Sequence, residues 1–240
     1  MSANTTVQKS RKTGLSRGVV NRFIQLAIAI IVQALILFGT AGSLRYPEGW
    51  AYLIQYVGFI ILNAFLLLPG GKELIEERSR ILENTRGWDR VVSVLYAIFG
   101  LGILVVAGLD WRFGWSPQLP LAAQAAGWIV MALGYGLFSW AMYSNKFFSA
   151  MVRIQDERGH AVAIGGPYRY VRHPGYIGII VYSLAAPVMF SAWWVYVPAT
   201  LLVVVILIRT VLEDRTLRSE LEGYTAYARR VPYRLVPGVW

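Results

Sequence analysis

The chain has 240 residues, of which 56% are hydrophobic and only 15% are charged, and its formal net charge is +10. A soluble domain carries about 25% charged residues, so this apolar excess is too large for one soluble core and predicts an integral membrane protein. Cysteine is absent and only two histidines occur, His160 and His173, so disulfides, thiolate ligands and cysteine nucleophiles are excluded, and no metal site is expected.

Apolar runs separated by short turns predict an all-α, polytopic fold with about six membrane spans. The first run is long for a signal peptide and more runs follow it, so we interpret it as a retained span. The last two runs are short for full spans, which indicates a tilted or tightly turned C-terminal helical hairpin that Pro187 bends or interrupts. The predicted spans are 23–42, 50–68, 91–109, 122–143, 176–190 and 193–208.

The polar segments between the runs carry nearly all of the charge. Residues 1–22 are basic and are expected to be disordered or to lie along the membrane surface. Residues 72–90 show apolar residues at helical spacing, which fits an interfacial amphipathic helix or a solvated helix with no role in substrate binding. In the polar tail 209–240, a helix is predicted over 211–229, and Pro232 and Pro237 follow it.

The basic residues also predict the orientation in the membrane. All lysines and arginines except Arg45 and Arg112 fall in segments that six spans place on one side. That side is expected to be cytoplasmic and to hold both termini. Anionic lipid then accounts for the basic composition, and no nucleic-acid partner is expected.

Residues 165–178, Gly-Gly-Pro-Tyr-Arg-Tyr-Val-Arg-His-Pro-Gly-Tyr-Ile-Gly, form a rigid polar segment that leads directly into an apolar run. Pro167 and Pro174 disfavour helical backbone at the residues before them, and the glycines permit close approach or tight turns. Irregular backbone at a membrane boundary is tolerated where it lines a cavity. The segment is therefore either a ligand-binding loop or a helix-start turn with basic anchors.

Arg209 ends the sixth apolar run, and Glu213 lies four residues later on the same helical face. The predicted topology places this pair on the same side as the 145–174 loop, which should be its neighbour. The pair is either part of a site or an arginine that reaches the interface beside an i,i+4 partner.

Four elements in this region together resemble one known family. They are His160-Ala-Val-Ala-Ile-Gly-Gly-Pro-Tyr168, Arg172-His-Pro-Gly-Tyr-Ile-Gly178, Arg209-Thr-Val-Leu-Glu-Asp214 and Tyr224-Thr-Ala-Tyr-Ala-Arg-Arg-Val-Pro232. Their order and spacing resemble the isoprenylcysteine carboxyl methyltransferase family of integral-membrane enzymes, which includes phospholipid N-methyltransferases. The resemblance covers roughly residues 145–237, and the first four spans carry no matching motif.

The resemblance implies a cytoplasmic pocket for S-adenosylmethionine, formed by the last hairpin, the loop before it and the tail. It divides the chain into a basic tail (1–22), a four-helix membrane region (23–143) and a methyltransferase core (144–240). It implies that Arg209 binds the substrate and that Arg209 and Glu213 act in catalysis. The implied cofactor contacts are Gln155, His160, Ala161, Val162, Ala163, Tyr168, His173, Pro174, Gly175, Tyr176 and Glu213.

The implied acceptor is lipophilic, a small molecule or a prenylated protein, and a carboxylate of the isoprenylcysteine type fits Arg209 best. A carboxylate needs no general base, whereas an amine would need Asp214, Glu213 or a tyrosine. One alternative is an NADPH-dependent reductase of a sterol or isoprenoid lipid, but Gly175 and Ile179 replace the asparagine and the acidic residue expected there. A non-enzymatic scaffold would leave the polar groups at the membrane edge unexplained.

Overall fold

The structure is a computed structural model that describes residues 17–68, 72–78 and 86–240, and in these ranges it contains helices and no β-strand. Three short 3₁₀ turns, at Asp156–Arg158, Gly166–Arg169 and Trp193–Val195, lie between the α-helices. The prediction of an all-α fold is confirmed. The helices are α1 Arg17–Ala41, α2 Pro47–Leu67, α3 Lys72–Glu77, α4 Gly87–Phe113, α5 Leu121–Tyr143, α6 Pro174–Met189, α7 Tyr196–Glu220 and α8 Tyr224–Arg230.

Five of the described helices, α1, α2, α4, α5 and α7, are long and apolar enough to cross a membrane. Large apolar side chains such as Leu35, Phe65 and Leu133 lie exposed on their outer faces, as expected for lipid-facing positions. The chain is an integral, multi-pass membrane protein. Helix α6 has 16 residues, which gives a length of about 24 Å and leaves it short of a hydrocarbon core about 30 Å thick.

Helices α5 and α6 pack so closely that backbone meets backbone at two glycines. A Cβ added at Gly134 would lie 2.7 Å from the Tyr182 nitrogen, and one added at Gly178 would lie 2.7 Å from the Gly134 oxygen. Small residues allow this approach because helices in lipid associate through packing and not through the hydrophobic effect. The contact fixes α6, and hence the polar segment before it, against the rest of the bundle.

The C-terminal helices differ from the predicted boundaries. Helix α7 runs without a break from Tyr196 to Glu220, where a span over 193–208 and a separate helix over 211–229 were predicted. No proline or glycine occurs between 199 and 222, so the change from apolar to charged residues does not end the helix. The break comes at Gly223, which has a positive φ of 79°, and the short α8 follows it.

The N-terminal segments also differ in part from prediction. Helix α4 begins at Gly87 and not at 91, so Asp89 belongs to a helix and not to a loop. Helix α3 covers only the first part of the predicted amphipathic helix. Residues 79–85, in the rest of that helix, and 1–16, in the predicted basic tail, lie outside the described residues.

The described residues of the four basic segments, 1–22, 72–90, 145–174 and 209–240, meet at one end of the bundle. Arg22 at the start of α1 donates to the carbonyl oxygen of Arg78 (3.4 Å), and Arg153 in the loop pairs with Glu77 of α3. At the opposite end, Asp110 accepts hydrogen bonds from the backbone N–H and the hydroxyl of Ser116 at 3.0 and 2.7 Å. This arrangement agrees with the predicted topology, and which end faces the cytoplasm stays a prediction.

Candidate functional site

The basic end of the bundle contains a cavity of about 350 Å³, here called the loop-side cavity, between the 144–173 segment and the ends of α4, α6, α7 and α8. Most of the residues predicted to contact cofactor or substrate line it. Gln155 and Pro174 are not among its lining residues. The predicted residues that do line it are His160, Ala161, Val162, Ala163, Tyr168, His173, Gly175, Tyr176, Arg209 and Glu213.

Gln155 is fully buried but directs its side chain into the loop itself. Its amide nitrogen donates to the carbonyl oxygen of Phe147 (2.8 Å), and its amide oxygen accepts from Arg158. Its backbone N–H donates to Nδ1 of His160 at 3.3 Å. Gln155 therefore holds the shape of the loop, and any contact with a cofactor would be indirect.

The segment before α6 is shaped by Pro174 and by the C-terminal residues of the chain. Pro174 occupies the first turn of α6, where its missing N–H costs nothing, and His173 caps the helix with non-helical backbone. The backbone N–H groups of Arg172 and His173 donate to the carbonyl oxygens of Tyr233 and Arg234, each at 3.0 Å. Residues 233 and 234 thus fix the backbone of His173, and neither of them lines the cavity.

Asp214 is the centre of the polar network behind this segment. Its fully buried carboxylate accepts from Nε of Arg172 at 2.7 Å and from the Tyr224 hydroxyl at 3.0 Å. Arg218 and Arg234 each approach it at 3.1 Å. A carboxylate with this many donors is held in its charged form and is a poor general base. Asp214 therefore joins α7, α8 and Arg234 to the Arg172–His173 segment.

Glu213 and Tyr176 form the polar wall of the cavity next to His173. The Tyr176 hydroxyl donates to Oε2 of Glu213. Oε1 of Glu213 lies 3.9 Å from Nδ1 of His173, and the His173 and Tyr176 rings stack with centroids 5.7 Å apart. The Glu213 side chain is only partly buried, so its carboxylate is presented to a ligand and not enclosed by protein.

Arg209 is paired with an acid that sequence reasoning missed. Its Nη2 lies 2.9 Å from Oδ1 of Asp89 and donates to the carbonyl oxygen of Ala150 at 2.8 Å. The other oxygen of Asp89 accepts from the backbone N–H of Val152 at 2.6 Å. The signal is an acidic residue at the end of the charged 72–90 segment, two positions before an apolar run. Asp89 therefore fixes Arg209 and ties the loop to α4.

Arg209 still has an unused donor. Its guanidinium lines the cavity, yet Nε has no hydrogen-bond partner in the described part of the chain. A buried donor without a partner costs about 1–3 kcal/mol. Evolution tolerates such a group where a ligand satisfies it. An acceptor atom on a ligand in this cavity would satisfy Nε.

Burial sets the protonation of the loop residues around the cavity. Desolvation lowers the pKa of His160, which keeps the ring neutral at pH 7 and lets Nδ1 accept from Gln155. Burial likewise raises the pKa of Tyr168 well above its ordinary value and that of Tyr227 to about 12. The Tyr227 hydroxyl donates to the carbonyl oxygen of Tyr168 at 2.7 Å. These phenols are donors at neutral pH.

A second cavity, of about 430 Å³, lies among α1, α2, α4, α5, α6 and α7 and is here called the transmembrane cavity. Its walls are mostly apolar and also carry tyrosines, among them Tyr96 and Tyr182, whose hydroxyls lie 2.6 Å apart. Arg78, Tyr96 and Phe138 line both cavities. The two cavities are therefore neighbours that share a wall.

The two cavities suit ligands of different chemistry. The loop-side cavity offers a carboxylate at Glu213, a cation at Arg209, and aromatic faces such as Phe147, whose ring lies 4.5 Å from that of His160. These groups fit a polar ligand with charges of both signs and a flat ring, as S-adenosylmethionine has. The transmembrane cavity fits an apolar chain. A reaction between a polar and a lipophilic molecule could take place at the shared wall.

A comparison with known families identifies the region that carries this site. Residues 127–219 match the model described as the isoprenylcysteine carboxyl methyltransferase family. A search of curated proteins found no match. The matched segment runs from within α5 almost to the end of α7 and contains the loop, α6, Arg209 and Glu213. The resemblance inferred from the motifs is confirmed, whereas α1 to α4, with Asp89, lie outside the match.

Proposed function

We propose that this chain is an integral-membrane methyltransferase of the isoprenylcysteine carboxyl methyltransferase family and transfers the methyl group of S-adenosylmethionine to a carboxylate on a lipophilic acceptor. The observation that carries the proposal is the meeting of Glu213, His173 and Arg209 in one cavity that shares a wall with an apolar cavity. At the shared wall, a polar methyl donor in the loop-side cavity and a lipid in the transmembrane cavity can reach each other. Each then stays in surroundings that match its polarity.

S-adenosylmethionine supplies an electrophilic methyl group on a sulfonium. The protein contributes binding, orientation and exclusion of water. Glu213, oriented by the Tyr176 hydroxyl, provides negative charge for the cationic groups of the cofactor. The segment His160–Ala163, with Tyr168, covers the other side of the cavity. Gln155 supports this segment through its backbone hydrogen bond to His160. It does not line the cavity, so any effect of Gln155 on the cofactor would be indirect.

Arg209 is proposed to hold the acceptor carboxylate. Asp89 and the Ala150 carbonyl fix one nitrogen of its planar guanidinium, and the unpartnered Nε is left for an acceptor oxygen. A guanidinium held in this way presents its donors in a fixed direction, which a lysine cannot do. A carboxylate is already an anion at neutral pH, so it attacks without transfer of a proton.

An amine acceptor is the second candidate, and the Asp89–Arg209 pair is the observation that favours it. Asp89 offsets the charge of Arg209, and Glu213 lines the cavity without an arginine partner in the described part of the chain. An amine would be attracted there and could lose its proton to Glu213. Asp214 is not available for this role because its donors already surround it.

The entry routes follow from the two cavities. The polar cofactor is proposed to enter from the cytoplasm at the basic end of the bundle, since the distribution of lysine and arginine predicts that this end is cytoplasmic. The apolar part of the acceptor is proposed to lie in the transmembrane cavity after arriving from the bilayer. An isoprenylcysteine-type group, on a small molecule or on a prenylated protein, has the required combination of carboxylate and chain.

The test has a binding step and a chemical step. Purified protein in detergent should bind labelled S-adenosylmethionine and not NADPH, and NADPH binding alone would contradict the methyltransferase proposal. Membranes containing the protein are then incubated with methyl-labelled cofactor, and the lipid fraction is treated with base. Release of volatile methanol is expected from a methyl ester. Base-stable label would instead identify the amine acceptor.

A further inference from the structure

The strongest feature that the proposed function does not use is a pair of arginines at the basic end of the transmembrane cavity. Arg22 lies in the second turn of α1, and Arg78 directly follows α3. Both line the transmembrane cavity, and Nη1 of Arg22 donates to the backbone oxygen of Arg78 at 3.4 Å. The two cations are therefore neighbours at one end of an apolar space.

Neither arginine has an acidic partner among the residues that the structure describes. The hydrogen bonds of Arg22 go to neutral oxygens, of Gln25 and of the Arg78 backbone. Arg78 lies over the rings of Phe148 and Phe138 at 5.3 and 5.9 Å, and its Nη1 is buried without a partner. These ring contacts hold the guanidinium in place but leave its charge uncompensated.

Three other buried or partly buried arginines have acidic partners. Arg172 is paired with Asp214, Arg209 with Asp89, and Arg153 with Glu77. Glu77, the residue next to Arg78, is committed to Arg153 through two hydrogen bonds of 2.9 and 2.8 Å. Two neighbouring, partly buried cations with no counter-ion in the described part of the chain are costly to maintain. An anionic ligand would remove that cost.

The surroundings indicate which anion fits. Below the arginines the cavity wall is apolar, with residues such as Phe23, Leu26 and Ile60. A free inorganic anion would gain nothing from this wall, whereas the chain of an amphiphile would fill it. Paired guanidinium groups suit the oxygens of a phosphate or a carboxylate. The observations therefore favour an anionic lipid over a free ion.

We propose that Arg22 and Arg78 bind the oxyanion of an anionic amphiphile whose chain occupies the transmembrane cavity, and that this amphiphile is the methyl acceptor. The second part rests on the proposed function, and it follows from the place of Arg78 in the wall common to both cavities. An amphiphile held there has its polar end next to the cavity that contains Arg209. The acceptor would then carry this anchoring oxyanion as well as the group that is methylated.

Binding is tested with short-chain phosphatidylglycerol, phosphatidylcholine with the same chains, and inorganic phosphate, measured by native mass spectrometry of the purified full chain. We expect phosphatidylglycerol to bind at least about tenfold more tightly than phosphatidylcholine, because charge-assisted hydrogen bonds are involved. Equal binding of the two lipids would overturn the proposal. Inorganic phosphate that binds as tightly as phosphatidylglycerol would overturn the assignment to a lipid.

The double variant Arg22→Gln/Arg78→Gln should lose this preference. The control Arg17→Gln/Arg90→Gln removes the same charge from two exposed positions and should keep it. If the glutamine variant does not fold, the single Arg78→Gln and the charge-retaining Arg22→Lys/Arg78→Lys replace it, with loss expected in the first and retention in the second. An unchanged preference in the folded glutamine variants would refute the site.

The acceptor role is tested separately. With membranes and methyl-labelled S-adenosylmethionine, Arg22→Gln, at a residue that lines the transmembrane cavity and not the loop-side cavity, should reduce label in the lipid fraction by about tenfold or more while cofactor binding stays at the wild-type level. Unchanged labelling would overturn the acceptor role and leave the lipid site standing. Failure of the wild-type chain to bind S-adenosylmethionine would instead overturn the proposed function, and the lipid comparison would remain decisive for the arginine pair.

Discussion

Two buried charges of α7, Arg209 and Asp214, show how neighbours decide what a residue can do. Both have ionic partners, yet Arg209 lines the cavity with one donor unused, whereas Asp214 is surrounded by donors behind the cavity. The first arrangement is suited to binding and the second to holding elements together. Substitution of Arg209 should therefore reduce methyl transfer, whereas substitution of Asp214 should reduce stability.

Substitution of Arg209 by lysine should reduce methyl transfer by about 10²-fold, because a point charge cannot keep both the Asp89 contact and the fixed fork toward the acceptor. Binding of labelled S-adenosylmethionine should change little. Transfer is measured with membranes and labelled cofactor. The matched control is Arg215→Lys, at an exposed position on the same helix. Full activity of Arg209→Lys would argue against an anionic acceptor at this residue.

Asp214→Asn should instead destabilise the protein. It leaves the buried Arg172 without its counter-charge, and loss of one member of a buried pair costs about 3 kcal/mol or more. Arg218 and Arg234 are partly exposed and should add little. Chemical unfolding in detergent, with the exposed Glu222→Gln as control, measures the difference. A stability equal to that of the control would contradict the central role of Asp214.

At the scale of elements, the conformation of the loop between α5 and α6 depends on the protonation of His160. His160 has a pKa lowered by burial, and its neutral Nδ1 accepts from the Gln155 backbone. A histidine whose pKa is lower in the folded loop than in the unfolded chain stabilises the folded loop fully above its ordinary pKa of about 6.5. The contribution is lost as pH falls below that value, because protonation then favours the open loop.

Affinity for S-adenosylmethionine should therefore be constant above about pH 7.5 and should decrease below about pH 6.5. The charged groups that face His160 are Asp156, Arg158, Arg153 and Glu157. His160→Gln keeps an acceptor but does not titrate, so its affinity profile should be flatter. Equilibrium binding from pH 5.5 to 8.5 measures both, and parallel profiles would exclude the histidine as the cause.

The contact between α5 and α6 gives a prediction with an internal control. Gly134→Ala places a methyl group 2.7 Å from the Tyr182 backbone, so α6 must shift and the yield of folded protein should fall sharply. Gly136→Ala meets nothing within 4 Å and should be neutral or stabilising by up to about 1 kcal/mol. Size-exclusion profiles and thermal unfolding compare the two. Similar behaviour would contradict the close packing.

The elements show what could be predicted from the sequence. Long apolar runs and the Pro174 helix start are local features, and they gave the spans and the polar segment before α6. Arg209 and Glu213 were expected on one helical face, but the extension of the same helix to Glu220 was missed, because a change in polarity resembles a helix end when no breaker is considered. Asp89 was missed because its partner Arg209 is 120 residues away, and such a contact depends on the packing of α4 against α7.

At the scale of the whole molecule, the basic end of the bundle holds the loop-side cavity, the arginine pair and the ends of six helices. Lysine and arginine content predicts that this end is cytoplasmic. The chain lacks cysteine, so single engineered cysteines report orientation without background. Exposed positions suitable for labelling occur at both ends, Gln118 between α4 and α5 and Glu222 after α7.

In intact cells, a membrane-impermeant thiol reagent should label Gln118→Cys and should not label Glu222→Cys. After the membrane is permeabilised, both should react. The reverse pattern would show that the orientation is inverted, and with it the proposed entry route of the cofactor. Wild-type protein, treated in the same way, gives the background.

The hydrogen bonds from Arg172 and His173 to the backbone of residues 233 and 234 have a consequence for biosynthesis. The ribosome delivers those residues after every membrane helix has been made, and domains form progressively from the N-terminal side during synthesis. The apolar bundle is therefore inserted in the bilayer while His173 still lacks its backbone partner. The Arg172–His173 segment therefore gains its backbone partners last, so a chain that stalls before residue 233 would be a membrane-embedded protein whose proposed cofactor site is unfinished.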